Sequence, residues 1–112
     1  MTADLIALCH RQPDRDAVLA ALRAAGPDLG VHTDPSSPVV RLTDRAGQPL
    51  FAVDGPLLVQ VPGEVERLLG VAVEAPVWWV EIRAVSGRDD AIETARRFAE
   101  RLAGSSEGRV WP

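Results

Sequence analysis

At 112 residues the chain has the size of one domain and can bury about two-thirds of its unfolded surface without disulfides or a structural metal. Its 46% apolar and 25% charged residues exclude a disordered protein. A net charge of −4 repels a phosphate backbone, so no nucleic-acid partner is expected unless a local basic patch overrides that field.

All the bases are Arg, and Lys, Asn and Tyr are absent. These three residues use AT-rich codons, so the bias points to a high-GC bacterial genome rather than to a function. Cys9 stands alone and leaves no internal disulfide. Met1-Thr2-Ala3-Asp4 lacks the basic start of a signal peptide, and Leu5 to Cys9 is too short to span a bilayer. The expectation is a cytoplasmic protein without a membrane partner.

Residues Ala3 to His10 form a nearly unbroken apolar run, which predicts a strand covered on both faces. Gln12-Pro13-Asp14 opens a helix, with Asp14 and Asp16 suited to its positive end. Val18, Leu19, Leu22 and Ala25 supply its apolar stripe, and Gly26-Pro27 ends it. Asp28 to Pro38, rich in Gly, Asp, Pro and Ser, reads as a loop with a short extended piece around Leu29 to His32. Val39 to Thr43 and Leu50 to Val53 then make a hairpin around Asp44-Arg45-Ala46-Gly47. Asp54-Gly55-Pro56 reads as another turn, and Leu57 to Val61 as the next strand of the same meander.

Pro62-Gly63 leads into a short helix from Glu64 to Leu69, ended by Gly70. Val77 to Ala84 is the clearest strand in the chain. Ser86-Gly87-Arg88-Asp89 resembles a capping box with Asp in place of Glu. Beyond it, Ala91, Ile92, Ala95, Phe98, Ala99 and Leu102 recur at helical spacing. Arg109-Val110-Trp111 closes the chain as a short strand. The order β-α-β-β-β-α-β-α-β predicts a single α+β domain over residues 1–112. Its architecture is a two-layer sandwich, with a mixed, largely antiparallel sheet and the two main helices on one face, a ferredoxin-like variant.

Adjacent strand residues point to opposite faces, so Trp78 and Trp79 cannot both serve one core. Trp78, Val80, Ile82 and Ala84 are wholly apolar and should lie under the helices. Val77, Trp79, Glu81 and Arg83 should face outward, with Trp79 covered by the Gly55 to Gly70 segment, a second subunit or a ligand. Both parities of the first strand are apolar, which predicts that Leu5 and Ala7 add to the outward patch. Such a patch points to protein–protein contact, with a sheet-mediated homodimer as the leading reading. The alternative is a small-molecule binder or minor enzyme with a pocket lined by Trp79, Glu81 and Arg83. A weaker third reading, from the acidic charge, is a chaperone-like role toward a basic partner.

No catalytic set is expected. Cys9 and His10 are strand neighbours on opposite faces and would not meet as nucleophile and base. His32, Asp34, Asp44 and Asp54 follow no ligand spacing, and Asp is common in turns, so no metal is expected. Glu64 and Glu66 do not share a helix face, and with Glu81 they read as solvated surface. Gly104 to Gly108 follows a helix instead of preceding one, unlike a phosphate cradle, and no cofactor is expected. Arg96, Arg97 and Arg101, flanked by Arg88 and Arg109, interleave with Asp89, Glu93 and Glu100 as a charge-laced helix face. Phe98, the only aromatic on that helix, lies on its apolar side, away from any nucleic-acid stacking role.

Overall fold

The near-continuous apolar runs at residues 5–9 and 77–82 place two strands in the interior of one sheet. A computed structural model describes residues 3–112. Its elements are β1 (Ala3–Cys9), α1 (Arg15–Ala25), β2 (Gly30–Asp34), β3 (Ser37–Thr43), β4 (Pro49–Val59), α2 (Glu64–Leu69), β5 (Val77–Ala84), α3 (Asp89–Ser105) and β6 (Gly108–Trp111). The six strands form one sheet in the order β2-β3-β4-β5-β1-β6, and every neighbouring pair runs antiparallel. The fold is α+β, a two-layer sandwich with α1 and α3 on one face. β1 and β5 are antiparallel neighbours inside the sheet, so β4 runs parallel to β1 with β5 between them and β6 runs parallel to β5 with β1 between them; the sheet is antiparallel throughout where a mixed one was expected.

The number and order of elements match the expected string, yet two stretches of the chain differ from it. In the expected loop at residues 28–38 the short extended piece is a full strand, β2, which pairs with β3 as a hairpin. Its turn is held by Asp34, whose Oδ1 accepts from the Ser36 backbone N–H at 2.9 Å and the Ser36 hydroxyl at 2.7 Å. The expected turn at Asp54-Gly55-Pro56 is a bulge inside one long strand, β4, which resumes pairing with β5 at Leu57↔Trp79. Gly55 there has φ +115°, and a Cβ on it would lie 2.8 Å from the Trp79 carbonyl oxygen, so the close approach requires glycine.

α1 begins at Asp14, whose Oδ1 accepts from the Ala17 N–H at 2.8 Å. α3 lacks the expected capping box: Arg88 occupies its N-cap without a side-chain cap bond. Instead the Arg88 guanidinium donates to Asp90 at 2.7 Å and to Asp44 at 2.9 Å, tying α3 to the β3–β4 turn. Arg97 leaves the charge-laced face of α3 for a partner on α1. It donates to the Ala25 carbonyl at 3.2 Å, placing a cation at the negative end of α1.

The principal core lies between the sheet and the two long helices, where Leu5, Ala7, Cys9, Val80 and Ile82 meet Leu22, Ala95, Phe98 and Leu102. Phe51 and Phe98 contact each other at a centroid distance of 5.6 Å. A smaller core occupies the other face, where Ile6, Leu8 and Val77 pack beneath Val65 of α2. His10 tethers this outer layer: its ring nitrogens lie 3.1 Å from the Glu74 carbonyl and 3.2 Å from the Glu107 carbonyl. No helix of the described residues is long and apolar enough to cross a membrane.

Candidate functional site

Antiparallel pairing places directly opposed residues on one face, and this fixes what each side of the sheet presents. Trp78, Val80, Ile82 and Ala84 face the long helices, as their parity predicts, while Val77 and Trp79 join the smaller core on the opposite, outer face. Val77 is fully buried and Trp79 half-buried. Val65, Leu69, Val71 and Val73 belong to the same cluster, so this chain itself supplies the cover over Trp79. The indole N–H donates to Glu81 at 3.3 Å, and Glu81 accepts from Arg83 at 3.1 Å.

The placement of Leu5 and Ala7 is corrected. Leu5 pairs with Ile82 and Ala7 with Val80, so both face the helices and are 2% and 0% exposed. Ile6 and Leu8 take the outer face instead. With every residue from Leu5 to Cys9 apolar, parity alone could not choose between the two sets; the register with β5 does.

Beyond the cover of α2, one cross-strand row runs over the outer face through His32, Arg41, Ala52 and Arg83, each paired to the next. Adjacent strands are about 4.8 Å apart, so the arginines on either side of Ala52 rise from backbones about 10 Å apart. Ala52 ends at its Cβ and leaves the space between them open. A cleft of about 480 Å³ lies here, lined by His32, Arg41, Thr43, Ala52, Arg83 and Val85 among others. The His32 Nε2 lies 3.2 Å from the Thr43 hydroxyl, which orients the ring at the cleft's edge. Gly47 and Pro49 close one end, on the turn where Asp44 accepts from the Ala46 and Gln48 N–H groups at 2.9 Å each. The Gln48 N–H and the Arg88 guanidinium hold the Asp44 carboxyl below the usual carboxylate range.

Trp79, Glu81 and Arg83, expected to line one pocket, are divided between two. Trp79 and Glu81 border a second hollow of about 340 Å³ at the β4 bulge, together with Asp54 and Leu57. Arg83 borders the first cleft. The two hollows differ in sign: Asp54 and Glu81 make the second acidic, while the first carries two guanidinium groups, an imidazole and no carboxylate in its lining.

His32 and Arg41 were not anticipated as a site. The available signal was Arg41 between Val40 and Leu42, a charged residue on the face opposite two apolar ones. His32 offered no comparable signal, because β2 is exposed along nearly its whole length and shows no alternation.

Cys9 and His10 do not form a catalytic pair: Cys9 is buried under the helices, and burial pushes its thiol up to about 11. Asp34, Asp44 and Asp54 lie apart in the β2–β3 turn, the β3–β4 turn and the bulge. No group of three or more His, Cys, Asp or Glu residues is gathered among the described residues. Phe98 is wholly buried and presents no stacking surface.

Searches against protein-family models, curated proteins and solved structures found no match to this chain.

Proposed function

We propose that this protein is a binding protein whose outer sheet face holds a small organic acid over Ala52, between Arg41 and Arg83. The observation that carries this reading is the cross-strand row of His32, Arg41, Ala52 and Arg83 in a cleft with largely apolar walls. Arg41 on β3 and Arg83 on β5 flank Ala52, and Arg83 also holds Glu81 at 3.1 Å, so an anion over Ala52 meets a positive charge on either side. Guanidinium groups hold a carboxylate through paired, charge-assisted hydrogen bonds. The apolar walls favour a carboxylate with a hydrocarbon body over an inorganic anion, and a cleft of this volume is within the range of small-molecule sites. A bacterial, cytoplasmic setting belongs to the same reading, supported by the Arg-only base composition and the lone buried thiol of Cys9.

Titration with benzoate, followed by backbone amide NMR, tests the proposal. Saturable shifts at Arg41, Ala52 and Arg83, reduced in an Arg41→Ala variant, are the expected result. Equal weak shifts with benzoate and inorganic phosphate, or none, would remove it.

A second reading, protein–protein contact and homodimerisation, has its own support. Leu57, Val61 and Leu68 are 65%, 62% and 51% exposed within one short stretch of chain. Sedimentation velocity over a wide concentration range distinguishes the two readings. A dimer that dissociates on Leu57→Ser favours protein contact, and a monomer at every concentration removes it.

A further inference from the structure

The other side of the sheet holds a cavity of about 150 Å³ between α1 and the strands. Val18 and Leu22 form its roof, Val53 and Val80 its floor, and Phe98 and Leu102 of α3 its far wall. Gly55 and Pro56, both exposed, bring its lining to the surface at the β4 bulge. The gap has a sequence cause. α1 rests chiefly against α3, and the buried faces of these helices are rich in alanine: Ala21 and Ala25 on one, Ala91, Ala95, Ala99 and Ala103 on the other. Alanine side chains end at Cβ, so the helices approach each other closely while little reaches down to fill the space above β3 and β4.

No polar side chain lines this cavity. Water would find too few of the two to four hydrogen-bond partners it needs, and an apolar cavity of about this size stays dry and accepts benzene or xenon. A carboxylate would be stripped of water there without a partner, so the charged ligands of the outer face are excluded. We propose that the space between α1 and the sheet is a second binding site, selective for a small uncharged apolar molecule about the size of benzene. It is independent of the outer cleft, since the two lie on opposite faces of the sheet and select opposite chemistry.

Benzene itself is the probe, titrated into the full chain and followed by methyl NMR. The expected result is saturable shifts at Val18, Leu22, Val53 and Leu102, with intermolecular NOEs from benzene to the Val53 and Leu102 methyls. Val18→Phe should fill the cavity from the helix side and abolish these shifts while the amide spectrum stays dispersed. If that variant fails to fold, the NOEs in the unmodified chain decide the matter alone. Absence of NOEs at saturating benzene, or shifts that persist in folded Val18→Phe, overturns the proposal. Shifts confined to the outer face around Ala52 and Trp79 overturn it as well. Failure with benzene leaves a positive benzoate result standing, and the converse holds, so the two sites are tested separately.

Discussion

On the outer face of the sheet, the ends of β1, β5 and β6 lie beneath α2 and the chain that follows it, whereas β2, β3 and the start of β4 carry no such layer. Residues of the same face differ accordingly. Ile6, Leu8 and Val77 are apolar and buried in the first region; His32, Arg41 and Arg83 are charged or polar and exposed in the second. β5 crosses the boundary within one strand, from Val77 and Trp79 to Glu81 and Arg83. Polarity follows cover more closely than it follows strand identity. The uncovered region is where a binding role has room to operate.

The largest effect expected from this contrast is on stability. Leu8→Ala, in the covered region, should cost about 3 kcal/mol in urea unfolding, because a fully buried side chain leaves a cavity. Arg41→Ala, in the open region, should stay within about 0.5 kcal/mol of the parent. Equal costs at the two positions would show that the open wing is as tightly packed as the covered one. For ligand affinity the ranking reverses. Arg41→Ala should weaken benzoate binding about tenfold, through loss of a charge-assisted bond of about 1.5 kcal/mol, and Leu8→Ala should leave it unchanged where the protein remains folded.

A chemical contrast follows. Burial pushes the Cys9 thiol up to about 11, so at pH 8 it should resist a thiol reagent in the native protein and react only with the unfolding midpoint in urea. Rapid labelling without denaturant would mean that the helix-facing side opens readily. The smallest effect is on the acid side. Hydrogen bonds from the Gln48 N–H and Arg88 lower the folded Asp44 pKa, so its contribution is present above the unfolded carboxylate range and fades as pH falls through the depressed value. Asp44→Asn should remove a small part of the acid-side decline in melting temperature and leave the shape above neutrality unchanged. A variant whose melting temperature declines more steeply with acid would contradict this.

Much of the fold was legible where a local pattern carried it. Trp78 and Trp79 could be assigned to opposite faces because Val80 and Ile82 follow one and Glu81 and Arg83 follow the other. Asp14 and Gly26 bounded α1 through capping chemistry that acts within a single turn. The pattern failed where it was uniform or absent. Leu5 to Cys9 is apolar at every position, and β2 is exposed on both faces, so neither shows alternation. Gly55-Pro56 has the composition of a turn, yet the backbone there is held by the neighbouring Trp79 carbonyl and continues as a strand. Arg41 was visible as an outward charge, but Arg83 is 42 positions away, and nothing local joins them.

The sequence by itself determined the α+β class, the two amphipathic helices and the opposed faces of the Trp strand, because these arise from contacts within a few residues. Tertiary structure alone decided that Leu5 and Ala7 face the helices, that Trp79 packs against the small outer core that includes Val65 of α2, and that Arg41 and Arg83 flank Ala52. Those outcomes depend on which strand pairs with which and in what register, and pairing is set by the burial of whole faces at once.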